Sequence, residues 1–252
     1  MSVVGRATQS ILGLGAMDPS ADQTTSFESR VAAKNDLDAR IIVCRKCPRL
    51  VAWREQVASE KRAAFADQDY WGRPVPGFGD LNAGVVIVGL APAAHGANRT
   101  GRIFTGDRSG DFLFASLWRT GFANQPTSQS IDDGLELSGV YVTSPVRCAP
   151  PQNKPTTVER DNCRPFLDEE LALLTQARVV VALGGFGHAE AARFMGIRPR
   201  PKFGHGVETL DSQGRVLMGC YHVSQQNTFT GRLTPEMLDA VFIRARELAE
   251  SD

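Results

Sequence analysis

The sequence has no excess of either charge, because 28 lysine and arginine residues face 28 aspartate and glutamate residues. It also lacks any apolar run near the ~20 residues that a membrane-spanning helix needs, and its first residues lack the charged-then-apolar profile of a secretory signal. A zero net charge excludes a histone-like or strongly basic binder, so any contact with nucleic acid must come from a local patch of cations. We therefore expect a globular protein of the cytoplasm.

Cysteine is scarce as well, at five among 252 residues. A chain of this length can bury about 70–75% of its unfolded surface, so it can form a full core without disulfides. In a reducing compartment, such thiols are more typical of metal ligands or free cysteines than of disulfides.

The first 35 residues are rich in serine, threonine, glycine and aspartate and show no sustained hydrophobic period. This composition predicts a disordered N-terminal extension over residues 1–35, followed by one folded domain over residues 36–252. Helical spacing of apolar residues begins at Leu37 and Ile41.

Four short apolar runs are each followed by a turn and a helical pattern, and they cover Val85–Val88, Val140–Thr143, Val179–Leu183 and residues 216–221. Strands that alternate with helices predict an α/β fold with a central four-stranded parallel sheet. Ligands of such sheets bind beyond the carboxyl ends of the strands, where this sequence places glycine-rich and polar segments. We therefore expect the substrate at that edge.

Four of the cysteines have the spacing of metal ligands. Cys44 and Cys47 form a two-residue chelating pair, and Cys148 and Cys163 supply a second pair. Four thiolates suit either a tetrahedral zinc ion or a 4Fe-4S cluster. The alternative is that Cys148 and Cys163 are buried free thiols and the first pair is incidental. Cys220 lies in the last apolar run, where we predict a buried structural thiol.

Four segments carry a family resemblance. They are CRKCPRLVAWRE (residues 44–55), GLAPAAHGANRTGRIFTGD (89–107), VRCAPPQNKPT (146–156) and YHVSQQNTFTGRLT (221–234). Together they resemble the family 5 uracil-DNA glycosylases, the UDGb type, from about residue 36 to residue 249. The resemblance implies a three-layer α/β sandwich, a 4Fe-4S cluster on the four paired cysteines, and removal of uracil from DNA. It also implies action on other deaminated bases such as hypoxanthine.

The family chemistry assigns catalytic roles to two residues. A glycosylase must flip the base out of the stack and stabilise the charge that develops as the bond to the sugar breaks. His222, directly after the last strand, is the candidate donor to the O2 oxygen of the leaving uracil. Most members of the superfamily have a polar residue in the loop after the first strand, but here that position is Ala91, which enlarges the pocket. Asp107 is therefore the candidate acid that faces the cation-like sugar, and its alternative role is that of a helix N-terminal acid.

Three further residues are expected to bind the base. Asn153 matches the family position for hydrogen bonding to the base edge, because an amide offers both a donor and an acceptor, although it could simply be a turn residue. Phe104 would stack on the flipped base or else belong to the core. Gly89 and the small residues after it would let backbone amides approach the ligand closely.

Cations near the motifs supply the local patch that zero net charge requires. Arg102, Arg147 and Arg232 are expected to contact DNA phosphates, and Gln226 or Phe229 to enter the duplex beside the vacated stack. The expected partner is single- or double-stranded DNA that contains deaminated bases, bound by a monomer. The rival hypotheses are a non-catalytic iron–sulfur protein that binds nucleic acid or senses redox state, and a zinc-stabilised nucleoside hydrolase.

Overall fold

The computed structural model describes residues 19–251, with side chains from Phe27 onward. The helices are α1 (Pro19–Ile42), α2 (Pro48–Glu60), α3 (Ala97–Thr100), α4 (Arg108–Arg119), α5 (Thr157–Ala172), α6 (Gly184–Phe194), α7 (Gln225–Phe229) and α8 (Pro235–Glu250). The strands are β1 (Phe78–Gly79), β2 (Val85–Val88), β3 (Val140–Thr143), β4 (Val179–Leu183), β5 (Glu208–Leu210) and β6 (Val216–Cys220). Not one helix in this part of the chain is long and apolar enough to cross a membrane.

The strands form one sheet in the order β1-β3-β2-β4-β6-β5. The four central strands are the four that the sequence predicts, and neighbouring pairs among them are parallel. The prediction of a four-stranded parallel sheet is nevertheless corrected, because β1 and β5 add an antiparallel strand at each edge. The apolar-run criterion missed β1, which is only two residues long, and β5, which has no fully buried residue.

The sheet is the middle of three layers, because alternate side chains of each central strand point to opposite faces. Val85 and Ile87 pack with α4 and α8 in one apolar cluster, whereas Val86 and Val88 pack with α5 and α6 in a second one. Every residue of the four central strands is buried, as expected for strands with helices on both faces. The core therefore holds the carboxyl ends of these strands in fixed positions.

Side chains at the helix N-termini determine where the helices next to this edge begin. Thr156 and Glu159 form a capping box at the start of α5, and Thr234 caps α8 ahead of Pro235. The helix α4 begins at Arg108 because Asp107 is its N-cap.

The helix α1 corrects the prediction of disorder for residues 19–35. Arg30 donates hydrogen bonds to the carbonyl oxygens of Leu81 (2.8 Å) and Leu173 (3.1 Å), and Lys34 donates to that of Gly77 (3.0 Å). These contacts join α1 to the sheet layer and to α5. Residues 1–18 lie outside the described part of the chain, and the division into an extension and a glycosylase-like domain stays a prediction.

Candidate active site

A cavity of about 370 Å³ opens at the carboxyl end of the parallel strands, at the edge that the sequence predicts. Its lining residues are Leu90, Ala91, Ala93, Ile103, Phe104, Asp107, Ser109, Ser144, Gln152, Asn153, His222, Ser224 and Gln226. They come from the loop after β2, the chain before α4, the loop after β3 and the chain after β6. Six predicted site residues are among them: Ala91, Phe104, Asp107, Asn153, His222 and Gln226. The fold thus brings segments that are far apart in the sequence to one cavity, while the role of each residue stays a prediction.

The two carboxylate oxygens of Asp107 have different surroundings. Oδ1 accepts hydrogen bonds from the backbone N–H groups of Ser109 (2.9 Å) and Gly110 (3.0 Å), so Asp107 is the helix N-terminal acid of the alternative interpretation. Oδ2 lies over Gly96, where a Cβ atom would stand 2.0 Å from it. Burial raises the pKa of Asp107, and the two backbone donors oppose that shift. The cap therefore fixes the carboxyl group while Oδ2 takes no part in it.

His222 lines the same cavity from the chain after β6. Desolvation lowers the pKa of His222 to about 4, so the ring is uncharged at pH 7 and carries one N–H. Asn227 donates from Nδ2 to the His222 carbonyl oxygen (2.8 Å), which holds the backbone at the start of α7. Gly184, at the start of α6, lies so close that a Cβ there would be 3.3 Å from the His222 Cβ.

Phe104 has a backbone φ of 54°, a left-handed conformation that is unfavourable for a residue with a side chain. Two glycines make its position possible, since a Cβ at Gly89 would be 2.9 Å from the ring and a Cβ at Gly110 would be 1.8 Å from the Phe104 carbonyl oxygen. The phenyl and His222 rings are 6.1 Å apart and inclined by 43°. A strained backbone conformation persists only where the surrounding fold enforces it, and such residues cluster at functional sites.

Gly89 does not have the expected role. Its N–H donates to the Thr143 carbonyl oxygen (2.9 Å) as part of the sheet, so that amide is not available to a ligand. The glycine is required instead because the ring of Phe104 covers it. The expectation of a backbone contact to substrate at Gly89 is therefore corrected to a packing role.

Gln152 and Asn153 form a tight exposed turn after β3. Both have left-handed backbone conformations, with φ of 55° and 57°. Arg49 of α2 connects this turn to the start of α5: it donates from Nη2 to the Lys154 carbonyl oxygen (3.1 Å) and forms an ion pair with Glu159 (2.6 Å). The Asn153 amide at the cavity wall is thus carried by a constrained loop. Gln152 also lines the cavity and is not among the predicted site residues, although it is adjacent to Asn153 in the same motif.

Two arginines that were expected to bind phosphates are buried in the fold. Arg102 is 6% exposed and contacts both carboxylate oxygens of Asp133, at 2.7 and 2.8 Å. Arg147 is 1% exposed and donates to Glu170 (2.6 Å) and to the Thr143 hydroxyl (2.8 Å). A guanidinium that is neutralised inside the protein cannot reach a DNA phosphate. These two assignments are therefore wrong.

Exposed side chains follow His222 along the chain, and Gln226 among them lines the cavity. Gln226, Arg232 and Phe229 are exposed, Phe229 by 67%, and the Arg232 guanidinium lies 4.6 Å from the centre of the Tyr221 ring. A larger cavity of about 990 Å³ adjoins the first and shares Ala93, Asp107 and Asn153 with it. Exposed Arg62 and Arg108 line this second cavity, so free cations do occur next to the site.

The four paired cysteines lie in adjoining buried clusters behind the Asn153 loop. Cys47, Cys148 and Cys163 pack together, and Cys44 packs against the neighbouring cluster. Arg54 donates from Nη1 to the Cys148 sulfur (2.9 Å), and Asn162 donates from Nδ2 to the Cys47 sulfur (3.5 Å).

Burial is the largest cause that raises the pKa of Cys148, to about 12, and it raises that of Cys163 as well. Among the described residues, no three His, Cys, Asp or Glu side chains are grouped as they would be around one metal ion. Cys220 is fully buried in β6 as a free thiol, as predicted.

Ser144, the residue directly after β3, also lines the cavity and is not among the predicted site residues. It is 1% exposed, and its hydroxyl donates to the Val146 carbonyl oxygen (3.0 Å). A residue directly after a buried parallel strand could have been assigned to the site from that position alone.

Comparison with known proteins gives the family. A family model described as the uracil DNA glycosylase superfamily matches residues 76–246. A type-5 uracil-DNA glycosylase of Mycobacterium tuberculosis is 58% identical over 217 residues, which cover 85% of this chain and 81% of the relative. The type-5 enzyme of Thermus thermophilus is 51% identical over 210 residues, covering 83% and 95% of the two chains. That of Pyrobaculum aerophilum is 47% identical over 211 residues, covering 84% and 91%. The chain therefore belongs to the uracil DNA glycosylase superfamily and, within it, to the type-5 family.

Proposed function

We propose that this protein is a monofunctional uracil-DNA glycosylase of DNA repair. The observation that carries the proposal is the single cavity that Asp107 and His222 border from different elements, with a neutral imidazole on one side and a carboxylate oxygen on the other. The relatives that cover most of the chain are named for the same activity. A cavity of about 370 Å³ falls in the range of small-ligand sites and suits one flipped base.

The reaction breaks the bond between the uracil N1 and the sugar C1′. The bonding electron pair leaves with uracil, and the N–H of neutral His222 stabilises the negative charge at O2. A neutral ring suits this task, because an imidazole with a pKa of about 4 is uncharged at pH 7 and still carries the one N–H that it donates. The Asp107 carboxylate stabilises the cation-like sugar and can accept a proton from the water that adds to C1′. The products are free uracil and an abasic site.

Base recognition is assigned to Asn153 and Phe104. The Asn153 amide offers a donor and an acceptor to the base edge, and the Phe104 ring offers a stacking face. Ala91 leaves room in the cavity that a larger polar residue would fill. We therefore extend the proposal to other deaminated bases, including hypoxanthine.

We assign Cys44, Cys47, Cys148 and Cys163 to a 4Fe-4S cluster. Each thiolate of such a cluster binds a different iron, so the sulfurs surround the group, whereas a zinc ion requires them to converge within about 2.3 Å of one point. An all-sulfur donor set with two N–H donors already on its sulfurs suits such a group. The bound cluster would supply structural support, because Cys148 and Cys163 bracket the loop that carries Asn153.

Contact with DNA is assigned to the exposed groups at the cavity mouth. Arg232 would neutralise a phosphate and Gln226 would enter the space left by the flipped base. Both single- and double-stranded DNA fit a site that reads only one everted base. We propose that a monomer suffices, since one chain supplies every cavity residue, and that the enzyme acts in the cytoplasm.

A duplex with one uracil opposite guanine tests the proposal. After incubation, alkali converts any abasic site to a strand break, and we expect breakage at the uracil position only. A purified enzyme that leaves the strand intact, while a control glycosylase cuts it, contradicts the proposal. Activity on free deoxyuridine but not on the duplex would favour a nucleoside hydrolase instead.

A further inference from the structure

Arg54 is a buried arginine without a close carboxylate partner. Its side chain is 2% exposed, and the nearest carboxylate oxygen, on Glu55, is 3.9 Å away. Its Nη1 donates to the Cys148 sulfur at 2.9 Å, its Nη2 donates to the Cys44 carbonyl oxygen at 3.2 Å, and its Nε has no partner. The buried Arg102 and Arg147, in contrast, each contact a carboxylate within 2.7 Å.

A buried guanidinium requires a compensating anion, because an isolated charge in the interior is strongly destabilising. Arg54 lies where the proposed function puts four thiolates, which carry a net negative charge even when they bind a 4Fe-4S cluster. We propose that Arg54 is the positive partner of that cluster and that its Nη1–H donates to the ligating sulfur of Cys148. This inference rests on the cluster assigned under the proposed function.

Two consequences follow from charge and hydrogen bonding. Hydrogen bonds to the sulfurs and nearby charge set the stability and the reduction potential of iron–sulfur groups. A positive charge favours the state with the added electron, so loss of Arg54 shifts the midpoint potential in the negative direction. Loss of Arg54 also leaves the thiolates without a positive partner, so iron is released more easily.

Arg54 also connects the cysteine region with the active site. Its carbonyl oxygen accepts a hydrogen bond from Nδ2 of Asn98 in α3 (3.2 Å). Asn98 is fully buried and follows Gly96, the residue beneath Asp107 Oδ2, by two positions. Loss of the cluster is therefore expected to disturb the wall that carries the catalytic carboxylate.

The test compares Arg54→Met and Arg54→Lys with the wild type, all purified without oxygen. We expect Arg54→Met to release iron to a chelator about 10-fold faster or more, and its midpoint potential to shift negative. Arg54→Lys keeps the charge and should retain most of the wild-type potential. Arg178→Met, which removes an exposed arginine that donates to the Ser251 carbonyl oxygen, should leave iron release unchanged. If Arg54→Met does not fold, Arg54→Gln keeps an N–H donor without the charge and should still show the negative shift.

The outcomes distinguish the cluster assignment from the role of Arg54. A wild-type protein that holds no iron overturns the cluster assignment and the Arg54 inference with it. A wild type that holds iron, with Arg54→Met or Arg54→Gln equal to it in release rate and potential, overturns only the role of Arg54.

A different observation carries a second inference. A groove of about 800 Å³ runs beside α6, and four arginines, Arg160, Arg193, Arg198 and Arg200, line it against the single acid Glu190. Arg160 and Arg193 share Asp161, at 2.9 and 3.0 Å. Exposed Arg198 and Arg200 have no ion pair with any residue of the described chain.

One end of this groove lies near the active site. Gly185 lines it, and the preceding residue, Gly184, adjoins His222. We infer that the groove binds the phosphate backbone of DNA that flanks the flipped nucleotide, with Arg198 and Arg200 as the two contacting cations. This inference also rests on the proposed function.

The test uses duplex DNA without uracil and the double variant Arg198→Gln/Arg200→Gln. The slope of log affinity against log salt concentration should decrease in magnitude by about 1.8, since each phosphate contact contributes about 0.9. The single-turnover rate on saturating uracil DNA should stay at the wild-type value. Arg178→Gln/Arg244→Gln removes two exposed arginines elsewhere and should keep the wild-type slope.

An unchanged slope for Arg198→Gln/Arg200→Gln, or an equal loss in the control, overturns the groove assignment. Absence of uracil excision by the wild type overturns the proposed function instead, because the affinity measurement does not depend on excision.

Discussion

Asp107 Oδ2 lies so close to Gly96 that a Cβ atom on that glycine would be 2.0 Å from the oxygen. An alanine at this position would collide with the carboxylate unless Asp107 moved. The absence of a side chain at Gly96 therefore leaves room for the oxygen that is proposed to be catalytic.

Gly96→Ala should slow base release about 100-fold, because a displacement of about 1 Å at a catalytic group has that order of effect. Single-turnover excision measures it. Gly185→Ala is the matched control, since a Cβ there meets only Phe203, at 4.0 Å. A Gly96→Ala enzyme with the wild-type rate would show that Oδ2 is not held against this glycine during catalysis.

Asp107→Asn separates the charge of Asp107 from its role as N-cap. Asparagine caps helices as well as aspartate does, so the variant should keep its thermal stability while base release falls about 10²–10⁴-fold. Asp107→Ala should lose the same activity and in addition about 1 kcal/mol of stability with the cap. DNA affinity should stay near the wild-type value in both. A large loss of affinity in Asp107→Asn would instead assign this residue to DNA binding.

Arg102 and Arg232 should give opposite phenotypes. Arg102→Met leaves the partly buried Asp133 without its ion pair and should lower the unfolding free energy, by at most the ~3–5 kcal/mol of a fully buried pair, measured by urea denaturation. Its salt dependence of DNA binding should not change. Arg232→Gln should leave the unfolding free energy near the wild-type value and reduce the salt slope by about 0.9. A stable Arg102→Met protein with a reduced slope would restore the original phosphate assignment.

The sequence predicts the centre of the fold better than its borders. The strands β2, β3, β4 and β6 are buried on both faces, so their apolar runs identify them without knowledge of their neighbours. The edge strands are too short or too exposed to form an apolar run, and α1 is joined to the fold by contacts with distant segments, such as those of Arg30 with Leu81 and Leu173, which no local pattern reveals.

The same difference between local patterns and distant contacts applies to the candidate active site. Position after a strand and the family resemblance predict that Asp107, Asn153 and His222 lie together, and all three line one cavity. The environment of Arg102 depends on Asp133, 31 residues away, and Arg147 lies 23 residues from Glu170. A basic residue in a motif therefore looks the same in sequence whether it contacts a phosphate or a buried carboxylate.

His222 should make the protein less stable at acid pH. Its pKa falls from 6.5 to about 4 on folding, so between these values the unfolded chain takes up a proton that the folded chain does not. Stability is therefore highest above pH 6.5 and declines toward pH 4. His222→Gln removes this titration, so its unfolding free energy should fall less than that of the wild type between pH 7 and 4.5. Equal losses in urea denaturation would show that His222 is solvated in the folded state.

Ala91 tests whether room in the cavity determines which bases are accepted. Ala91→Val adds two methyl groups to a wall of the 370 Å³ cavity, and a purine needs more of that space than uracil does. We expect excision of hypoxanthine to fall about 10-fold or more relative to excision of uracil, as for other small changes in pocket volume. Single-turnover rates on matched duplexes give the ratio, and Ala52→Val, at an exposed position of α2, should leave it unchanged. An equal loss on both bases would mean that Ala91 contacts the sugar or the backbone, and that the breadth of base choice is set by another wall.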